Sequence, residues 1–285
     1  MRKGLTEVVF ILDRSGSMRG LEEDTIGGFN SMIEKQRKEE GEAYISTVLF
    51  DDKTEILYDR VPVEKVEPMH EKQYYVRGCT ALLDAIGGAI HHIANVHKYS
   101  REEDRPEKTL FIITTDGMEN ASHIYTCHKV KKMVETEKEK YGWEFLFLGA
   151  NMDAIKTADR FGIGADRAMN YQCDREGTQL NFQVLSTTIS AFRKSRSKSE
   201  MDEALFSGCA PIREDYEKRH KDVKRGEDDE DKYLALWYDG TYCGRCPWSS
   251  GTVYGQNGNK KQSAGTCNRN GSRWSLSDAG RNLVR

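Results

Sequence analysis

The feature that most constrains this chain is an alternation. Short runs of apolar, largely β-branched residues are each followed by a polar turn and then by a segment with apolar positions at helical spacing. Thr6–Asp13 (TEVVFILD), Tyr44–Phe50, Thr109–Thr115 (TLFIITT) and Trp143–Leu148 are the runs, and their near-continuous apolar character is that of strands covered on both faces. Ile26, Phe29, Met32 and Ile33 within Thr25–Glu39 mark one helix, and Ala81, Leu82, Ala85, Ile86, Ala89, Ile90 and Ile93 a longer one. Val130, Met133 and Val134 mark a third, Ala154–Phe161 a fourth that Gly162 stops, and Leu180, Val184, Thr188 and Phe192 a closing helix. A strand near Glu55–Val61 follows Tyr44–Phe50 across the turn Asp51-Asp52-Lys53, which reads as a hairpin, and Ala168–Tyr171 reads as a last short strand. Strands alternating with helices give an α/β fold: a doubly wound, mostly parallel sheet with one antiparallel edge strand and helices on both faces, of Rossmann-like kind. In such sheets ligands bind beyond the carboxyl ends of the strands.

The pattern closes near residue 195, so residues 1–198 form the expected domain, residues 199–232 a charged, helical, solvated extension with an acidic linker, and residues 233–285 an irregular tail. Five consecutive acids, Glu227-Asp228-Asp229-Glu230-Asp231, mark the linker. Charge divides there: residues 240–285 hold seven Lys/Arg and one Asp, +6, which leaves −9 for the remainder of a chain of net charge −3. Charged residues make up 31% of the sequence, and no apolar run approaches the roughly 18 residues that span a bilayer. Val8–Leu12 is too short for a signal-peptide core, and Cys79, Cys127, Cys173 and Cys209 are scattered as reduced thiols are, so the expected compartment is the cytoplasm.

Three polar clusters fall just after strand or hairpin segments. Asp13-Arg14-Ser15-Gly16-Ser17 follows the first strand, Gly78-Cys79-Thr80 opens the long helix, and Thr115-Asp116-Gly117 ends the central strand. If the sheet is wound as the alternation implies, they converge on one crevice and offer two carboxylates and three hydroxyls. A hard, oxygen-only shell suits Mg²⁺, with Mn²⁺ close behind. Two carboxylates balance the charge of a divalent ion, and neutral hydroxyls leave it electrophilic enough to take one more oxygen from outside.

Asp-x-Ser-x-Ser after an apolar strand, a distant Thr before a helix and an Asp closing a later strand resemble the metal-ion-dependent adhesion site of von Willebrand factor A domains. The flanking text, VVFILDRSGSM and FIITTDGMEN, is similar to bacterial and phage members of that family over roughly residues 5–195. The resemblance implies that Ser15, Ser17 and Thr80 ligate the metal directly. Asp13 and Asp116 then act largely through water, Asp116 directly in one conformational state. It further implies binding without catalysis: a protein partner docks an Asp or Glu carboxylate on the metal, and AAA-type ATPases are a partner class by family analogy. Neither a membrane nor a nucleic acid is an expected partner.

Other readings weigh less. A strand ending in Asp also opens phosphotransferases of the haloacid dehalogenase type, but these need a second Asp two residues on as general acid, where this chain has Ser15. Thr80 can be read as an ordinary helix N-cap. His91, His92 and His97 suggest a metal cluster, yet His91 and His92 are adjacent, point to different helix faces and read as solvated. No GxxxxGK[ST] occurs, and Gly162-Ile163-Gly164 reads as a helix terminator. In the tail, Cys243-x-x-Cys246 is half of a zinc site or a redox pair, followed only by Cys267 and no histidine. The tail's basic, aromatic composition suits a nucleic-acid contact, but the acidic run before it argues equally for intramolecular masking. Its Trp, Tyr, Ser, Gly and Asn also suit an adaptable binding surface, and an unfolded segment weighs at least as much.

Overall fold

A computed structural model describes residues 1–221 and, in the remainder, the antiparallel pairing of Val253–Tyr254 with Lys260–Lys261. The acidic linker and the cysteines of the tail lie outside the described residues.

The chain runs β1 (Arg2–Asp13), α1 (Glu22–Gln36), β2 (Glu42–Phe50), β3 (Thr54–Pro62), α2 (Leu82–Tyr99), β4 (Pro106–Thr115), α3 (Cys127–Tyr141), β5 (Glu144–Gly149), α4 (Ala154–Arg160), β6 (Ala168–Asn170), α5 (Arg175–Lys194) and α6 (Lys198–Gly208), with residues 210–221 again helical. Six strands form one sheet in the order β3-β2-β1-β4-β5-β6. Every neighbouring pair is parallel except β2 and β3, the hairpin read from the sequence.

The period of two along each strand sorts side chains to opposite faces. Val8, Phe10 and Leu12 of β1 join Leu110 and Ile112 of β4 under α1 and α5, through Phe29, Met32, Ile33, Leu185, Ile189 and Phe192. Val9 and Ile11 join Phe111 and Ile113 on the other face, under α2, α3 and α4, through Leu82, Ile86, Val130, Val134 and Ala158. Both halves of each central strand are therefore buried, which is why these runs read as continuously apolar.

One expectation changes. Leu205, Cys209 and Ile212 are fully buried in the core on the α5 side, so the segment after residue 198 is packed rather than a solvated extension. Its charged residues face outward and conceal an apolar stripe too sparse to stand out in the sequence. The third histidine of α2, His97, is built into the fold: its ring stands edge-on to Trp143 at 5.2 Å and bonds the buried carboxylate of Glu7. Among the described residues no helix is long and apolar enough to cross a membrane.

The order of the strands decides where a ligand can sit. From β1 the chain crosses to β2 on one side and later returns to β4 on the other, so the connections leave the carboxyl ends of β1 and β4 in opposite directions. The crevice of a doubly wound sheet lies at that divergence. Asp13 is the last residue of β1 and Asp116 follows the last residue of β4.

Candidate metal centre

Asp13 is held by both carboxylate oxygens. Its Oδ1 accepts from the Ser15 amide at 2.7 Å, which curls the loop after β1 back on itself, and its Oδ2 accepts from Thr115 Oγ1 of β4 at 2.6 Å. The buried Tyr74 hydroxyl donates to the Asp13 carbonyl at 2.5 Å and closes the site from below. Ser15 Oγ and Ser17 Oγ lie 3.1 Å apart, and Ser17 Oγ donates to Asp116 Oδ1 at 2.5 Å. The other Asp116 oxygen accepts from Cys173 Sγ at 3.4 Å, and the Asp116 carbonyl from Asn151 Nδ2 at 3.3 Å.

Thr80 reaches the same point from α2. A Cβ placed on Gly117 would stand 2.9 Å from Thr80 Oγ1 and 3.3 Å from Ser17 Oγ, so both hydroxyls press against a glycine with no side chain to exclude them. Gly16 is equally confined: its amide donates to the Gly78 carbonyl at 3.1 Å, and a Cβ there would meet that oxygen at 3.3 Å. All five residues that the motif singled out are thus brought together.

Thr80 is not the cap of α2. The N-cap position is Ala81, which has no side-chain cap bond. The first-turn donors are met across space instead: the Leu83 amide donates to Glu119 Oε2 at 2.8 Å and the Asp84 amide to Ser122 Oγ at 3.0 Å. In return Asp84 accepts from the amides of His123, Ile124 and Tyr125, and Asn120 Oδ1 accepts from the Thr80 amide at 2.9 Å. The loops carrying Thr80 and Asp116 are therefore tied to one another, and the Thr80 hydroxyl is left free to face the crevice.

The electrostatics of the two carboxylates are set by burial. Asp13 and Asp116 are 2% exposed, and burial, the dominant cause in both, holds each carboxyl above its ordinary value of 3.8. For Asp13 the nearby Asp116 charge adds to the rise, and for neither is a lysine, arginine or histidine among the stabilising neighbours. Burial pushes the Cys173 thiol up to about 12, helped by Asp116, so it stands as a protonated donor to that carboxylate.

Two anionic oxygen groups, three hydroxyls and no cationic side chain fit a hard divalent ion, which would be held by Asp13, Ser15, Ser17, Thr80 and Asp116. Among the described residues no group of three or more His, Cys, Asp and Glu is arranged to hold a metal, so the histidines of α2 form no rival centre. Sequence reasoning missed Tyr74, Glu119, Asn120 and Cys173 as parts of the site, and placed Thr115 in it without its bond to Asp13. Of these four only Glu119 and Asn120 carried a signal, as polar residues close behind Thr115-Asp116-Gly117.

No protein-family model and no curated protein matches the chain. Among solved structures it is similar to the von Willebrand factor domain of the type V pili tip protein Mfa5 from Porphyromonas gingivalis, at 12% identity and a TM-score of 0.48, over 67% of this chain and 97% of that one. It is also similar to a von Willebrand factor type A protein from Catenulispora acidiphila (13% identity, TM-score 0.44, 65% of this chain and 42% of that one). A third is the proximal thread matrix protein 1 of the mussel byssus with a zinc-occupied MIDAS motif (16% identity, TM-score 0.44, 65% and 46%). The chain spans about half the length of the byssus protein, 45% in another of its structures.

Proposed function

We propose that this chain is a non-catalytic, divalent-metal-dependent binding module that docks an acidic side chain of a protein partner on a Mg²⁺ or Mn²⁺ ion. The observation that carries the reading is the pair of buried carboxylates, Asp13 and Asp116, set among three hydroxyls with no cationic side chain beside them. A divalent ion there is neutralised by the two carboxylates yet remains a Lewis acid, because Ser15, Ser17 and Thr80 are neutral donors. An incoming Asp or Glu carboxylate is the biological group that best completes such a shell.

The chain's own residues bind and orient. Thr115 and the Ser15 amide fix the Asp13 carboxylate, and Ser17 and Cys173 fix that of Asp116. The partner is a cytoplasmic protein in this reading, and an AAA-type ATPase is the class to try first by the resemblance to bacterial and phage proteins. The test is capture of partners by the full chain from its native host in Mg²⁺, in EDTA, and with Thr80→Ala. A partner released by chelator and absent from the variant supports the reading, and one that persists through both contradicts it.

A further inference from the structure

Asp51 lies outside the five-residue motif, at the turn between β2 and β3, yet it is completely buried and accepts from both sides of the metal site. Its Oδ2 accepts from Arg14 Nε and from Arg77 Nε, each at 2.8 Å. Its Oδ1 accepts from the Lys53 amide at 2.9 Å, and its carbonyl accepts from the Ala81 amide at 2.8 Å. Arg14 stands between Asp13 and Ser15 in the first metal loop, whereas Arg77 and Ala81 bracket Thr80 in the second. The backbones are joined at the same place, since the Arg77 amide donates to the Arg14 carbonyl at 3.0 Å and the Arg14 amide to Phe50 at 2.8 Å.

A buried guanidinium needs an explanation. The Arg14 side chain, on the residue between Asp13 and Ser15, is wholly buried, and its Nη2 has no hydrogen-bond partner. A buried guanidinium is costly unless a carboxylate cancels its charge. Asp51, with Glu55 on Arg14 Nη1 at 2.8 Å, supplies that cancellation. Arg14 and Arg77 also lie over the ring of Tyr75, at 5.2 and 5.1 Å, and Tyr75 adjoins the Tyr74 that bonds Asp13. Gly78 keeps the second loop close: its φ of +68° suits glycine, and a Cβ there would stand 2.4 Å from Asp52 Oδ1.

We propose that Asp51 is a positioning residue of the metal site: it clamps the Asp13–Ser17 loop to the Thr80 loop and neutralises Arg14, so that the hydroxyls of Ser15, Ser17 and Thr80 meet at one ion. The inference rests on the metal reading above. Groups that orient metal ligands without touching the ion are worth about 10–100-fold in affinity in known sites.

Titration of the full chain with Mn²⁺ by calorimetry tests it, with Asp51→Asn, Arg77→Ala and Thr80→Ala beside the wild type. Asp51→Asn should weaken Mn²⁺ by about tenfold or more while its circular dichroism stays native. Arg77, half-exposed and only one of the two guanidiniums on Asp51, should weaken it by about two- to fivefold on truncation, and this variant carries the test if Asp51→Asn does not fold. A purely structural role would lower the metal-free melting temperature and leave the Mn²⁺ affinity of the folded protein unchanged, which overturns the proposal. Should the wild type bind no Mn²⁺, the metal reading falls and this one with it. Loss in Thr80→Ala with full affinity in Asp51→Asn and Arg77→Ala sinks the positioning role alone.

Discussion

Asp13 and Asp116 are the residues at which the account is most exposed to experiment. Both carboxyls are raised above 3.8 by burial, so the folded, metal-free protein holds their protons more tightly than the unfolded chain does. The sign follows: the pair costs stability once ionised, and that cost is relieved as pH falls through the raised values toward the ordinary one. In EDTA, the urea midpoint of the wild type should therefore gain on that of Asp116→Asn between pH 7.5 and pH 4.5; a gap that stays constant with pH contradicts the assignment. Saturating Mg²⁺ should remove the gain, because the ion competes with the protons for the same oxygens. At Gly117 the crowding is steric. Gly117→Ala places a methyl 2.9 Å from Thr80 Oγ1 and should weaken Mn²⁺ by about tenfold or more, with the metal-free melt little changed. Unchanged affinity would mean that the two hydroxyls do not close on one ion. These residues were legible because the motif fixes spacing within short loops. Cys173 and Tyr74 were not, since each meets the site only through the fold.

At the scale of elements, the strands were the most readable part, because runs buried on both faces need apolar residues at nearly every position. Their ends were less so. β1 starts at Arg2, whose amide donates to the Arg105 carbonyl at 2.7 Å, and it carries Glu7 buried between Arg60 and His97, partners that no local pattern announces. α1 starts at Glu22 because Glu22, Glu23 and Asp24 suit the positive end of the helix, a turn before its apolar face begins. α6 was misread as solvated for want of a dense stripe. Leu205→Ala should cost about 2–4 kcal/mol in chemical denaturation, and a loss near zero would return α6 to the role of an extension. The cross-capping of α2 gives another test. Glu119→Ala strips the Leu83 amide and its own loop of their acceptor and should cost about 1–2 kcal/mol, read as a lower urea midpoint with the slope unchanged.

For the whole molecule, the alternation of strand and helix gave the sheet, its single antiparallel edge and the crevice at the carboxyl ends of β1 and β4. It could not show which distant side chains brace that crevice, because Asp51 and Cys173 come from two further connections and meet it only once the sheet has closed. The resulting frame surrounds two buried carboxylates with hydroxyls and amides, and the proposed metal site rests on that arrangement. The direct measurement is the thermal melt of the full chain in EDTA against excess Mg²⁺, repeated with Mn²⁺. An ion that binds the native state alone at a hundred times its Kd adds about 2.7 kcal/mol. For a domain of this size that is a rise of roughly 5–10 °C, and Asp13→Ala should abolish it. Identical melts with and without saturating Mg²⁺ and Mn²⁺ would contradict the account.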